Sequence, residues 1–195
     1  MVIRVLILGA NGNLARNTTR AFLDRTDVEL TLYLRRISRL TNPEPARVTV
    51  VEGDVLARRA LEAAMKGQDI VYANLSGNLA AQARTIVEAM HATGLKRLIF
   101  ISSMGIYGEV PGQTYHSILD QYRDAAAEIE RSDLDYTVLR PGWFSRHASG
   151  KLCLTRKGEP FVGHDVSLDS LSNLIVEIAT TPGRHVRESL GVSTS

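Results

Sequence analysis

The sequence predicts an α/β fold: an open, doubly wound parallel sheet in three layers, with helices on both faces. Three observations carry that reading. Short apolar runs alternate with longer segments whose apolar residues fall three and four apart, the alternation that a helix-covered parallel sheet requires. Most of the runs are nearly continuous in Val, Ile and Leu, as expected of strands buried on both faces. The 195 residues suffice for one well-buried domain and are few for two, because domains cluster at roughly 100–200 residues.

The elements follow in order. A first strand at Val2–Leu8 leads into an amphipathic helix at Gly12–Arg25, and a second strand at Val28–Leu34 is followed by a third at Arg47–Val51. A helix at Leu56–Lys66, a strand at Asp69–Asn74 and a helix at Leu79–Thr93 come next. A strand at Arg97–Ser102, a helix at Ile118–Arg131 and a strand at Asp135–Leu139 complete the regular part. Each helix turns one apolar stripe to the sheet, and each crossover is expected to be right-handed, because a twisted strand followed by a helix packs back onto its sheet only that way. After Pro141 the alternation stops. Gly142–His164 mixes apolar residues with Gly, Ser, His and basic side chains before a last helix at Leu168–Thr180 and a short final strand at Ser189–Ser193. Residues 142–195 are therefore read as a small C-terminal, substrate-side extension of one domain spanning 1–195.

Composition narrows the class. A hydrophobic fraction of 44% and a charged fraction of 23% are those of an ordinary soluble domain. A net charge of +2 is too small to point to nucleic acid or an anionic membrane as partner. The one cysteine, Cys153, forms no internal disulfide, and the opening run Met1–Leu8 is too short for a signal peptide or membrane span, so the cytoplasm is the expected compartment. His91, His147, His164 and His185 show no metal-ligand spacing with Cys or carboxylates, and no metal is expected.

The chemistry is announced by the turn Gly9-Ala10-Asn11-Gly12-Asn13-Leu14-Ala15, which runs directly from the first strand into the first helix. Gly9 permits a tight turn, Gly12 lets the backbone approach a pyrophosphate, and Ala15 lets the helix pack against the strand. The phosphates would then face the unpaired N–H groups and positive dipole end of the helix. That context makes the sheet Rossmann-type and the expected ligand a nicotinamide dinucleotide. Its spacing, G-x-x-G-x-x-A, is one residue longer between the first two glycines than the G-x-G-x-x-G fingerprint. The second strand ends in Leu34-Arg35-Arg36, with Arg39 close by, where an NAD-selective chain would carry a carboxylate. Guanidinium forks suit a 2′-phosphate, so NADP(H) is the preferred cofactor and NAD(H) the second choice. Asp54 and Val55, after the third strand, are placed to meet the adenine, Asp54 also being able to cap the next helix. Asn74, Leu75 and Ser76 follow the fourth strand, where carboxyl-end loops line a dinucleotide crevice.

Taken with Gly53-Asp54-Val55, Ile101-Ser102-Ser103-x-Gly105-x-Tyr107-Gly108 and Leu134-Asp135-Tyr136-Thr137-x-Leu139-Arg140-Pro141-Gly142, the turn makes the chain resemble the atypical short-chain dehydrogenase/reductase superfamily, in particular its NmrA-like and related NAD(P)H-binding proteins, over nearly its whole length. The resemblance implies a serine after the fifth strand that holds a substrate carbonyl, at Ser103 or Ser102, and adds Ser102, Pro141 and Gly142 to the cofactor site. It also implies a Tyr-x-x-x-Lys pair, in which lysine and the nicotinamide cation lower a tyrosine pKa that is ordinarily near ~10. No tyrosine here has lysine four positions later, and none of Lys66, Lys96, Lys151 and Lys157 lies on the helix expected at Ile118–Arg131. Classical carbonyl–alcohol dehydrogenation and sugar epimerisation are accordingly not expected.

Tyr107, Tyr115 and His116 lie beyond the fifth strand, on the side where substrates of open sheets bind. Tyr107 and His116 join Ser103 as candidate catalytic groups, His116 because an imidazole titrates near ~6.5. Trp143 and Phe144 are candidates for a flat apolar wall against a ring-shaped substrate. Hydride delivery to a quinone, flavin or similar conjugated acceptor needs an oriented nicotinamide more than an enzyme acid. An NADPH-dependent reductase with a small-molecule acceptor is thus the expected function, and an NADP(H)-sensing regulator of the NmrA-like kind, acting on a protein partner without turnover, is the alternative. A second copy of the chain is left open as a partner.

Overall fold

The computed structural model describes residues 2–145, 148 and 150–194; His147 lies outside them. Parallel strands β1 (Arg4–Leu8), β2 (Glu29–Leu34), β3 (Val48–Glu52), β4 (Ile70–Ala73), β5 (Arg97–Ile101), β6 (Asp135–Pro141) and β10 (Glu188–Thr194) are joined by β8 (Leu152–Arg156) in one sheet of order β3-β2-β1-β4-β5-β6-β10-β8. Only β8 runs antiparallel, against β10. Helix α1 (Asn13–Arg25) and α5 (Leu168–Thr180) pack together on one face, while α2 (Arg58–Met65), α3 (Leu79–Thr93) and α4 (Asp120–Glu130) pack in sequence on the other. The result is the Rossmann-type three-layer arrangement expected from the alternation of runs.

The period-2 geometry of β1 shows why its sequence is apolar throughout. Val5 and Ile7 enter the core under α1 and α5, and Leu6 and Leu8 enter the core under α2–α4, all four fully buried. Burying each such side chain is worth about 1.5–3 kcal/mol, so the central strand is fixed from both sides. Between α1 and α5 a buried pair of hydroxyls, Thr18 and Ser172, hydrogen-bonds at 3.0 Å, which satisfies both groups where water is excluded. Ser167 caps α5 by accepting the Ser170 N–H at 3.0 Å.

Strand order reverses between β2 and β4, which flank β1. The crevice at the carboxyl ends of these strands is therefore a topological switch point, the usual ligand site of such sheets.

Residues 142–194 are continuous with the rest of the chain: the short final strand expected at Ser189–Ser193 is β10, which with β8 completes the main sheet beyond β6. One departure from the sequence reading is that the stretch Gly142–His164 contains regular structure: besides β8, β7 (Trp143–Phe144) pairs with β9 (Asp165–Val166) in a two-stranded sheet. Leu152 and Leu154 of β8 pack partly buried against the α1/α5 core. Strand β6 runs two residues past Leu139 because Arg140 and Pro141 still align with Gly191 and Val192 of β10.

Candidate functional site

The carboxyl ends of β1–β4 frame a cavity of about 470 Å³. Gly9, Asn11 and Gly12 supply one wall, Asn74, Leu75 and Ser76 the opposite one, and Arg35, Arg36 and Arg39 the far end. Asp54 and Val55 complete it from the β3 side. Gly9 adopts φ +77°, and a Cβ there would overlap the Asn74 carbonyl oxygen, so this turn and the β4 loop approach as closely as only glycine permits. Gly12 caps α1 with no side-chain hydrogen bond, and no acidic residue stands in the first turn. The helix thus presents its donors and positive end to the cavity without an internal counter-charge, as an anion site requires.

Loop geometry is held by contacts distant in sequence. The Tyr33 hydroxyl donates to the Asp54 carbonyl at 3.1 Å, and the Asp54 carboxylate accepts the Leu56 N–H at 2.9 Å; Asp54 therefore both lines the cavity and shapes the approach to α2. Arg16, on α1, donates to the Asn11 side chain and, at 3.0 Å, to the Arg39 carbonyl, which ties the glycine turn to the arginine loop. Gln82 donates to the Ser76 carbonyl at 3.2 Å, while its Oε1 is buried in the cavity wall with no hydrogen-bond partner. Tyr33, Gln82 and Arg16 escape sequence reasoning because only the fold brings them to the turn.

These residues fit a dinucleotide carrying an extra phosphate. The fit is seen in the uncapped helix end, the two-glycine approach, three guanidinium groups at one end and a buried acceptor awaiting a donor. Of the residues read from the turn, Ala10 and Leu14 are buried in the core and do not line the cavity, and Asn13 is exposed at the start of α1.

A second, smaller cavity of about 190 Å³ lies over the ends of β5 and β6. Ser103, His116, Pro141, Gly142 and Trp143 line it together with Met104, Val110 and Leu119. Ser102, by contrast, is buried under the loop, its Oγ 3.4 Å from the Tyr122 carbonyl. Phe144 is half exposed outside this lining, paired through its backbone with Val166.

Tyr107 lines neither cavity. Its hydroxyl donates to the Glu130 carboxylate and lies 3.2 Å from Ser189 Oγ. Burial, reinforced by Glu130, pushes its phenol well above the ordinary tyrosine value, the opposite of what a catalytic tyrosine needs. Lys157 does reach Tyr107, but its ammonium sits over the ring face, 4.5 Å from the centroid. Nearby, the fully buried Arg140 pairs with Glu109, whose carboxylate also accepts the Gly105 and Tyr107 N–H groups at 3.1 and 2.9 Å. That cluster organises the loop after β5. Among the described residues no group of three or more His, Cys, Asp or Glu side chains is placed to hold a metal ion, and no helix is long and apolar enough to cross a membrane.

Comparison with known proteins agrees with this geometry. Residues 9–182 match a protein family described as NAD(P)H-binding. A Rossmann-fold NAD(P)-binding family protein from Shigella flexneri is 39% identical in sequence, with a TM-score of 0.87 over 100% of this chain and 94% of that one. A short-chain dehydrogenase/reductase from Veillonella parvula, solved in complex with NADP, is 28% identical with a TM-score of 0.87, over 99% of this chain and 95% of that one. An uncharacterised sugar epimerase of Bacillus subtilis is 25% identical over 156 residues, 72% of each chain.

Proposed function

The chain belongs to the NAD(P)H-binding family, and from that premise we propose that it is an NADPH-dependent reductase which passes hydride to a quinone, flavin or similar conjugated acceptor. The observation that carries the cofactor choice is the end of the larger cavity, where Arg35, Arg36 and Arg39 stand together beyond the β2 end, while Asp54, in the loop after β3, is the one acidic side chain among the described lining residues. Guanidinium groups engage a 2′-phosphate through paired charge-assisted hydrogen bonds. The bound NADPH would supply the hydride.

The chain's own residues do the rest. The α1 N-terminus and Gly12 receive the pyrophosphate, Asp54 and Val55 meet the adenine, and Asn74–Ser76 form the wall along the ribose. The Gln82 Oε1 offers an acceptor to a ligand N–H or O–H. Ser103 and His116 face the second cavity, where Ser103 can hold an acceptor oxygen and His116 can donate a proton to it as it becomes reduced. Tyr107 has no part in this reading, because its hydroxyl is committed to Glu130. Without an acid–base tyrosine and its lysine, an acceptor that takes its proton from water or imidazole is favoured over an alcohol or a sugar. The cytoplasm is the compartment that suits this chemistry.

The test follows absorbance of NADPH and, separately, NADH with a panel of quinones and flavins, beside a direct binding titration. Saturable oxidation of NADPH, lost in Gly12→Val, is expected. The double change Arg35→Ala/Arg36→Ala should weaken NADPH about 10- to 100-fold, the ~1.5–3 kcal/mol of hydrogen bonds to a charged group, while NADH changes little. Tight NADPH binding with no turnover on any acceptor would replace the reductase by the sensing regulator. An unchanged NADPH-to-NADH preference in the double variant would remove the arginines from phosphate recognition.

A further inference from the structure

The two cavities lie along one edge of the sheet and differ in chemistry. The larger is set with guanidinium groups. The smaller has no Lys, Arg, Asp or Glu among its described lining residues. Its body is made by Met104, Val110, Leu119 and Pro141, and its mouth by two large apolar side chains left in water, Ile118 at 70% and Trp143 at 63% exposure. The charged groups beside it are paired: the Tyr115 hydroxyl donates to Asp120 at 2.8 Å and Arg123 bridges to that same carboxylate at 2.8 Å, while Glu109, which accepts the Gly105 N–H at 3.1 Å, pairs with the buried Arg140. Large exposed apolar groups around a concave site mark a surface that is covered when ligand binds.

Resting on the reductase reading for what the cavity receives, we infer that it accepts an uncharged, planar ring system of one or two rings, a simple quinone of the naphthoquinone type, and selects against acceptors or sugars bearing a phosphate or another anionic group. Three arguments converge. An anion entering this lining loses hydration and finds no lysine or arginine among the described lining residues to replace it, a transfer that costs far more than that of a neutral ring. An uncharged ring gains from each apolar surface it covers, Trp143 and Ile118 included. The volume, about 190 Å³, lies below the ~300 Å³ at which pockets for larger drug-sized ligands begin, so a three-ring flavin would project from it. The polar groups that remain, Ser103, Gln113, Thr114 and His116, suit the carbonyl oxygens of a quinone. Hydride and one proton convert that quinone to its hydroquinone, with NADPH oxidised to NADP⁺.

Trp143 is the only tryptophan of the chain, so its fluorescence reports occupancy of this cavity without any turnover. Protein saturated with NADP⁺ is titrated with menadione, with its ring-hydroxylated analogue lawsone, which is an anion at neutral pH, and with UDP-glucose. Saturable quenching by menadione is expected, with lawsone binding at least about tenfold more weakly and UDP-glucose giving no saturable change. Ile118→Lys, at a position exposed enough to tolerate it, should reverse the order by strengthening lawsone and weakening menadione, with NADP⁺ affinity unaltered. Lawsone or UDP-glucose binding as tightly as menadione in the unmodified chain would overturn the inference, as would the absence of menadione quenching. If menadione binds as expected but NADPH is never consumed, the reductase reading falls and the selectivity of the cavity stands.

Discussion

Gly9 and Gly12 belong to one turn, yet the structure gives them different work. At Gly9 the backbone is left-handed, φ +77°, and an added Cβ would overlap a backbone carbonyl that has nowhere to go. At Gly12 φ is −67°, and the nearest atom to an added Cβ is the Asn74 Nδ2, 3.1 Å away at the end of a side chain that can move. Gly9→Ala is therefore expected to destabilise the unliganded protein by roughly 1–3 kcal/mol, whereas Gly12→Ala should leave unliganded stability nearly intact and weaken NADPH at least about tenfold, through contact with the pyrophosphate. Thermal unfolding without ligand, set beside a binding titration, separates the two; equal loss of unliganded stability in both variants would show that Gly12 serves the fold. This pair was legible in the sequence because turn chemistry is local. The same holds for Arg35, Arg36, Asp54 and Asn74, each at a strand end that its apolar run defines. Arg16, Tyr33 and Gln82 were not legible, because their partners lie on other elements: Arg16 reaches Arg39, and Tyr33 reaches Asp54.

The loop between β5 and α4 is positioned by a charge pair that no local pattern reveals. Arg140 reads in the sequence as a strand end before Pro141, and a guanidinium is normally solvated there; in the fold it is fully buried, because β10 and β8 extend the sheet over it. Its partner Glu109 holds two backbone N–H groups of the loop as well. Removing one member of a buried pair strands the other charge, so Glu109→Ala is expected to cost about 3–5 kcal/mol, and Glu109→Ala/Arg140→Met markedly less than the sum of the single changes. Denaturant unfolding of the three variants measures this. Additive losses would mean that the two groups stabilise the loop separately. The short strands β7 and β9 and the antiparallel β8 were missed for a related reason. They are short, two residues in β7 and β9 and five in β8, and set in a stretch that mixes apolar side chains with Gly, His and basic ones; what makes them strands is an edge offered by β10 or by each other, tertiary pairing overriding a weak local signal.

At the scale of the whole molecule, the parallel, helix-covered sheet was legible because most of its first six strands are buried on both faces and can satisfy that burial only inside such a sheet. Within residues 142–194 the last helix and final strand were legible too, but the position of β10 and β8 in the sheet was not, since it depends on which edge they join. Their place in the sheet has a thermodynamic consequence. Strand β10 lies between β6 and β8, and α5 packs on α1 across a buried hydroxyl pair, so the C-terminal part cannot melt without exposing β6 and the α1 side of the core. Unfolding is accordingly expected as one cooperative transition, with calorimetric and van't Hoff enthalpies equal. A ligand that binds the native state alone stabilises it, so NADPH, if held as proposed and at a hundredfold excess over its Kd, should add about 2.7 kcal/mol, raising the midpoint of that single transition by roughly 5–10 °C for a chain of this length. The larger cavity lies at the carboxyl ends of β1–β4 while β8 stands at the opposite edge of the sheet. A shift confined to part of the signal, with an earlier step unmoved by NADPH, would mean that residues 142–194 fold as a unit of their own and that the eight strands do not share one core.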